Sequence, residues 1–256
     1  MEESLARAYR KLWHEHWWWR ARREILLAKL AALAPAGGWR RILDVGCGDG
    51  LFFDDLLALG ADVRGVEPDA RIVSESGPHA GRIHLGPFVG PSGSDRPFVG
   101  PSGSDRPFVG PSGSDRPFVG PSGLDRPFDD GYAPDEPFDL VLLLDVLEHL
   151  DDRVACLRRA RELLAPGGRI LITVPAFPVL WTNHDVLSHH RLRYTRRSLV
   201  DEVTAAGLAP REVRALFRWL SPVKLAVRIA ETLVHRTPRP PAVPPAWLNR
   251  LALALS

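Results

Sequence analysis

The stretch Ile42–Gly50, ILDVGCGDG, decides how the rest of the 256-residue chain is read. It is a short apolar run ending in a glycine-rich turn, and Leu51, Phe52, Leu56, Leu57 and Leu59 follow at helical spacing as far as Gly60. That pattern is a strand, a ligand-holding turn and a helix. A dinucleotide turn needs G-x-G-x-x-G, whose third glycine lets the helix pack close with its N-terminus facing pyrophosphate. Here Gly46, Gly48 and Gly50 make G-x-G-x-G, and the next position is Leu51. Asp44 stands two residues before the turn, where a carboxylate suits a cationic ligand group better than a phosphate. Glu67 closes the next strand, DVRGVE, where a carboxylate can accept both hydroxyls of a ribose. The ligand expected is a nucleoside bearing positive charge.

Outward from this unit, strands and helices alternate. RIHL is a third strand, and a short helix is expected after Pro68. FDLVLLLDV, nearly all apolar, is the fourth and is expected to be buried on both faces of a parallel sheet. Asp151 and Asp152 cap a helix with Val154, Leu157, Leu163 and Leu164 on one side, APGG stops it, and RILITVP is the fifth strand. A further helix opens at Thr195 or Ser198 and closes at Gly207, and REVRALF is a sixth strand. The fold class is therefore α/β, a doubly wound Rossmann-like sheet with helices on both faces.

Four decapeptides, GPFVGPSGSD, RPFVGPSGSD twice and RPFVGPSGLD, run in tandem from residue 86. Each unit offers only Phe and Val as apolar side chains, with Leu124 added in the last, too little to offset the ordering entropy of about 1–2 kcal/mol per residue. Removing residues 88–127 joins RIHLGP to FDDGYAPDEPFDLV, so 86–127 reads as a flexible insert in a surface loop without a chemical role.

Residues 1–35 form a helical arm containing HEHWWWRARR. Indoles beside arginines suit a membrane interface or a lid over an apolar substrate, and equally suit packing onto the sheet. Residues 218–256 are a helical appendage, with the amphipathic PVKLAVRIAETLV, a proline-rich linker over 236–245 and a last short helix.

Hydrophobic content of 45% and charged content of 25% exclude a disordered chain. Two cysteines, Cys47 and Cys156, make no disulfide framework, and a reducing, cytoplasmic setting is expected. No signal peptide is evident, and no apolar run approaches the ~20 residues of a bilayer span. The net charge of +2 is segregated. Residues 1–41 carry 9 basic against 4 acidic side chains, residues 42–152 carry 7 against 21, and residues 153–256 carry 17 against 6. Such segregation suits solvated faces or an anionic surface, but no recognition motif or aromatic platform points to nucleic acid.

Taken together, ILDVGCGDG, VRGVEPD, FDLVLLLDVLEHL and RELLAPGGRILITVP resemble, in order, the motifs of the class I S-adenosylmethionine-dependent methyltransferases over roughly residues 40–210. TVPAFPVLWTNHDVLSHHRLRYT with the HWWWRARR arm resembles a bacterial subgroup of these enzymes. The resemblance implies a cofactor-binding domain over 36–217, with Gly46, Cys47, Gly48 and Gly50 lining the methionine part of S-adenosylmethionine. It also implies Asp44 near the ammonium group, Glu67 on the ribose and Asp145 beside the cofactor. Two departures stand out. Pro87 and Phe88 occupy the place after the third strand where the family often has an acidic residue, and the usual seventh, antiparallel strand has no counterpart.

Methyl transfer needs nucleophile and methyl carbon held in line at about 3 Å. For a hydroxyl acceptor a base helps, and His149, His184, Asp185, His190 and Tyr194 are the candidates in the loops after strands four and five. Each has a structural alternative: His149 bonding backbone while Glu148 steadies the turn, or His190, Arg193 and Tyr194 serving an ion pair and a helix start. The spacing of His184, Asp185 and His190 matches no metal-ligand pattern, so no metal is expected. The reading is methyl transfer to a small molecule at oxygen, with the tryptophan-rich arm suggesting a lipid- or quinone-like acceptor and peripheral membrane contact. The alternatives are an impaired cofactor-binding or membrane-surface scaffold, and a nicotinamide-dependent oxidoreductase, which the missing third glycine disfavours.

Overall fold

The computed structural model describes residues 10–89, 132–234, 242–254 and 256. Five strands form one parallel sheet: β1 (Arg41–Val45), β2 (Asp62–Glu67), β3 (Ile83–Leu85), β4 (Phe138–Leu144) and β5 (Leu164–Thr173), in the order β3-β2-β1-β4-β5. The chain winds one way from β1 and then the other way from β4. The carboxyl ends of β1 and β4 therefore flank the point where winding reverses, the usual ligand crevice of an open α/β sheet.

The apolar run of β4 is explained by two-sided burial. Leu140 and Leu142 face a cluster with Leu26, Leu30, Trp39, Phe53 and Leu56, and Val141 and Leu143 face one with Leu157, Tyr194 and Val203. All four β4 side chains are 0% exposed, and full burial of each such side chain contributes about 1.5–3 kcal/mol. The first face is covered by α1 (Trp17–Leu33) and α2 (Phe53–Leu57), the second by α3 (Arg153–Glu162) and α5 (Arg196–Ala205). Between β5 and α5 lies the short α4 (Asn183–Leu187), and α6 (Ser221–Val234) and α7 (Ala246–Ala254) end the described chain.

The helix ends follow local chemistry. Asp152 caps α3 by accepting from the Ala155 N–H at 2.8 Å, and Thr195 and Ser198 cap α5 reciprocally. Asn249 of α7 ties the start of the arm, accepting from the Trp17 N–H and donating to the Glu15 carbonyl, both at 2.7 Å. No helix among the described residues is long and apolar enough to cross a membrane.

Three expectations fail. APGG does not separate helix from strand: α3 ends at Glu162, and β5 already runs through residues 165–168. REVRALF is not a strand: residues 208–215 have no regular structure, and Arg211, Glu212, Arg214 and Ala215 are exposed, with Glu212 paired to Lys29 and Arg214. Without a buried face nothing holds a strand in register. No α-helix follows Pro68 either. Asp69 instead accepts from the Arg71 N–H at 3.0 Å in a turn, and turns continue to a 3₁₀ segment at Ala80–Arg82. Residues 90–127 of the repeat and 236–241 of the linker lie outside the described residues, but the start of the repeat is not a free loop: Phe88 is buried in the core cluster with Val141 and Leu143, the place Phe128 would take in a chain joined without 88–127.

Candidate active site

The glycine turn leaves β1 by a backbone path that side chains oppose. Gly46, Gly48 and Gly50 have φ of 69°, 57° and 69°, and a Cβ on Gly46 would lie 2.9 Å from Val146 Cγ2 just beyond β4. The turn is anchored to β2 by the Gly46 N–H, which donates to the Val66 carbonyl at 2.8 Å. From the end of β2 the Glu67 carboxylate reaches back to it, accepting from the Gly48 N–H on one oxygen and the Asp69 N–H on the other, both at 2.9 Å. Glu67 and Asp44 are 5% and 4% exposed. Burial pushes both carboxyls up to about 7, with the Gly48 and Asp69 N–H groups opposing it at Glu67 and Arg22 opposing it at Asp44. Burial also pushes the Cys47 thiol up, which leaves it inert as a nucleophile.

Across the crevice, Asp145 ends β4 with φ 59°, a left-handed backbone that costs a side-chain-bearing residue of order 1–3 kcal/mol. It is held there on several sides. Its N–H donates to the Thr173 carbonyl, one carboxylate oxygen accepts from Thr173 Oγ1 at 3.0 Å, and the other pairs with Arg22 at 2.8 Å. Arg22 comes from the arm, is 6% exposed, donates to Thr173 Oγ1 at 2.7 Å, and lies under Trp18 and Trp19 at 5.4 and 6.0 Å from their ring centres. The arm thus does pack on the sheet, and Trp18 and Trp19 at the same time line the crevice.

Beyond Asp145 a 3₁₀ turn, Leu147–His149, carries Glu148 and His149. Glu148 is 0% exposed and neither carboxylate oxygen has a hydrogen-bond partner. Burial, reinforced by Asp145, pushes its carboxyl well above the usual range. Burial likewise lowers His149 to about 4, with His190 adding to the effect, and lowers His184. Both imidazoles are neutral at pH 7.

Asp185 is the hub of this wall. Its buried carboxylate accepts from the Thr182 N–H and Oγ1, from Arg193 through Nε at 2.8 Å and Nη2 at 2.9 Å, and bonds His190 Nδ1 at 2.8 Å. Burial alone would raise its pKa, but the His190 and Arg193 bonds hold it far below the usual carboxylate range. Tyr194 donates its hydroxyl to Glu202 at 3.0 Å, and burial with that partner pushes its pKa up.

The end of this sheet opens into a cavity of about 2040 Å³. A single ligand site usually spans roughly 300–1,000 Å³, so there is room for two bound molecules. Of the sequence-derived candidates, Asp44, Gly46, Cys47, Gly48 and Glu67 line it on one side; Asp145, His149, His184, His190 and Tyr194 line it on the other. Gly50 and Asp185 stand behind the lining: Gly50 shapes the turn, and Asp185 points into the Arg193 and Thr182 network. Arg22 and Glu148 line the cavity and were not singled out as site residues from sequence. The signal for Arg22 lay in the HWWWRARR run; that for Glu148 was a carboxylate directly before His149 at the end of an apolar strand.

A family model described as a methyltransferase domain matches residues 18–213, beginning within the arm. Among solved structures, a S-adenosylmethionine-dependent methyltransferase of Thermotoga maritima is 19% identical, with a TM-score of 0.50 over 81% of this chain and 79% of that one. The Haloferax volcanii complex of the Trm112 methyltransferase activator with a methyltransferase candidate is 16% identical, with a TM-score of 0.50 over 84% and 79%. DesVI of Streptomyces venezuelae is 14% identical at a TM-score of 0.41; this chain spans 52% of its length. At these identities the likeness is one of fold. No curated protein matches the chain.

Proposed function

The chain belongs to the methyltransferase-domain family, and we propose that it transfers a methyl group from S-adenosylmethionine, the glycine-turn wall holding the cofactor and the histidine wall receiving a small molecule methylated at oxygen. S-adenosylmethionine, when bound, supplies a sulfonium methyl group for in-line displacement. The residues fit such a ligand. The turn is kept free of side-chain bulk where a Cβ at Gly46 would meet Val146. Each Glu67 oxygen spends one lone pair on a backbone N–H and keeps another for a ribose hydroxyl. Asp44 has burial but little compensating charge, so a cationic ligand group would draw it into its ionised form.

On the other wall, Arg22 and Thr173 fix Asp145 at the crevice edge. His184 is the base best suited to take the proton of an acceptor hydroxyl, because it lines the cavity and is neutral, whereas His149, lowered to about 4, is the weaker base. His190 offers Nε2 alone, since Asp185 occupies its Nδ1. Asp185 and Tyr194 position their neighbours rather than move a proton. Trp18, Trp19, Phe177 and Phe217 offer aromatic surface in the lining, which favours a lipid- or quinone-like acceptor over a strongly polar one. Membership of the family sets aside the oxidoreductase alternative.

The observation that carries this reading is the pair of buried carboxylates, Asp44 and Glu67, on one cavity wall beside the side-chain-free turn. Calorimetry with S-adenosylmethionine and S-adenosylhomocysteine on the full chain tests it. Heat at one site per chain is expected; none from either compound in a folded sample overturns it. Incubating a cell extract with the protein and an isotopically labelled methyl donor, followed by mass spectrometry, reads the acceptor. A labelled O-methyl product is expected, and a labelled N-methyl product would overturn the assignment to oxygen.

A further inference from the structure

Glu148 is the anomaly of the molecule. Among the described residues, its two carboxylate oxygens are the only buried side-chain polar atoms without a hydrogen-bond partner. A fully buried carboxylate without donors is among the costliest groups a protein can carry, and each such group calls for an explanation. The side chains around it supply one. One oxygen of Glu148, one ring nitrogen of His149 and one of His190 all lie within 4.8 Å of one another. His190 Nε2 stands 4.0 Å from Glu148 Oε1, too far for a hydrogen bond. The His149 and His190 rings meet edge to face, with centres 5.0 Å apart.

The neighbours of the trio orient it further. His190 Nδ1 bonds the Asp185 carboxylate at 2.8 Å, and that carboxylate is itself ionised and pinned by Arg193 and Thr182. With Nδ1 engaged by Asp185, the ring turns Nε2 toward Glu148. A carboxylate bound to the far nitrogen of an imidazole is the arrangement that sets tautomer and ring angle in histidine metal ligands. The His149 ring has a backbone hydrogen bond of its own, to His189. His189 holds φ 53°, so the chain between the two histidine ligands is itself constrained.

We propose that Glu148, His149 and His190 form the protein side of a divalent-cation site whose open coordination positions face the cavity. Two imidazoles and one carboxylate suit a borderline first-row cation, Zn²⁺ in preference to Mg²⁺. Three protein ligands leave room for an exchangeable oxygen. Ligands about 2.1 Å from a tetrahedral centre stand roughly 3.4 Å apart, so the side chains close in by about an ångström when the ion binds. Glu148 then gains the positive partner it lacks. All three residues line the cavity that also contains the glycine turn, and the exchangeable position is open to an acceptor hydroxyl, whose proton the cation would make easier to remove. That use rests on the methyl-transfer reading; cation binding does not.

The test is calorimetric titration of the full-length protein, first stripped with EDTA, with ZnCl₂ and separately with MgCl₂. One Zn²⁺ per chain is expected, with Mg²⁺ much weaker. Glu148→Gln, His149→Ala and His190→Ala should each weaken Zn²⁺ binding by at least about 100-fold, more than the loss of an outer partner causes. Glu148→Gln guards against a folding artefact. Since no other residue donates to the carboxylate, this variant should melt no lower than the stripped wild type, yet lose the rise in Tm that ZnCl₂ gives the wild type. No Zn²⁺ binding by the wild type, or equal binding by all three variants, overturns the site. Titrating the same samples with S-adenosylhomocysteine separates the two readings. A chain that binds Zn²⁺ through Glu148 but not the nucleoside keeps the cation site and loses the cofactor assignment, and the converse result does the reverse.

Discussion

Along the β1–β2 wall of the cavity the polar groups come from one short run of chain, Asp44 to Glu67, and Glu67 meets backbone N–H groups. Along the β4–β5 wall they come from the arm (Arg22), the end of β4 (Asp145, Glu148, His149) and the loop after β5 (His184, His190), and they meet other side chains or, in Glu148, nothing. The first wall is built by local geometry and should survive the loss of distant parts. The second is a tertiary product, and it should fail when any strut is removed.

The largest test of that contrast is Asp185→Ala. It leaves Arg193 buried without its partner and releases His190, so stability should fall by about 3–5 kcal/mol in chemical denaturation. A loss below about 1 kcal/mol would mean that the wall stands without its hub. Gly46→Ala attacks the other side. The left-handed backbone costs about 1–2 kcal/mol, the contact with Val146 adds to it, and binding of S-adenosylhomocysteine should disappear with little change to the histidine wall. Glu67→Ala should weaken nucleoside binding by about 1–3 kcal/mol through a lost charged hydrogen bond, and calorimetry showing unchanged affinity would remove Glu67 from the ribose.

Titration sharpens the comparison without mutation. Asp44 and Glu67 both rise to about 7 on folding, so the native state keeps their protons after the unfolded chain has lost its own. Their contribution to stability is full below about pH 4 and is lost as pH climbs through about 7, while affinity for a cationic nucleoside climbs over the same interval. Melting curves and calorimetry from pH 5 to 8 should show opposite slopes; parallel slopes would contradict the assignment. Smallest of all should be excision of residues 88–127, which shortens one loop; loop length costs only about 0.6 kcal/mol per doubling, and loss of folded protein would contradict the insert reading.

Most of the sheet was legible because a strand buried on both faces leaves an unbroken apolar run, as in FDLVLLLDV. REVRALF misled because its alternation had no partner surface, which only the packed sheet reveals. The glycine turn, Asp44 and Glu67 could be found from spacing alone, being neighbours along the chain. Asp185 was found as a titratable group in the right loop, but whether it faces the cavity or Arg193 depends on a cap at Thr182 and a residue eight positions on. The juxtaposition of Glu148 and His149 with His190 is further still from any spacing rule, because it is set by how the loop after β5 folds back over the end of β4.

Among the described residues, Asp145, Phe177, His189 and Phe217 are the non-glycine positions with left-handed backbone, and all four line the cavity. Glycine or asparagine would relieve the backbone at each, but at Asp145 it would also strand the buried Arg22, so a laboratory lineage bred for heat resistance has its easiest gains at the other three. Those same gains would slacken the shape that the ligands meet. Breeding for durability and breeding for turnover would therefore compete for the same three codons.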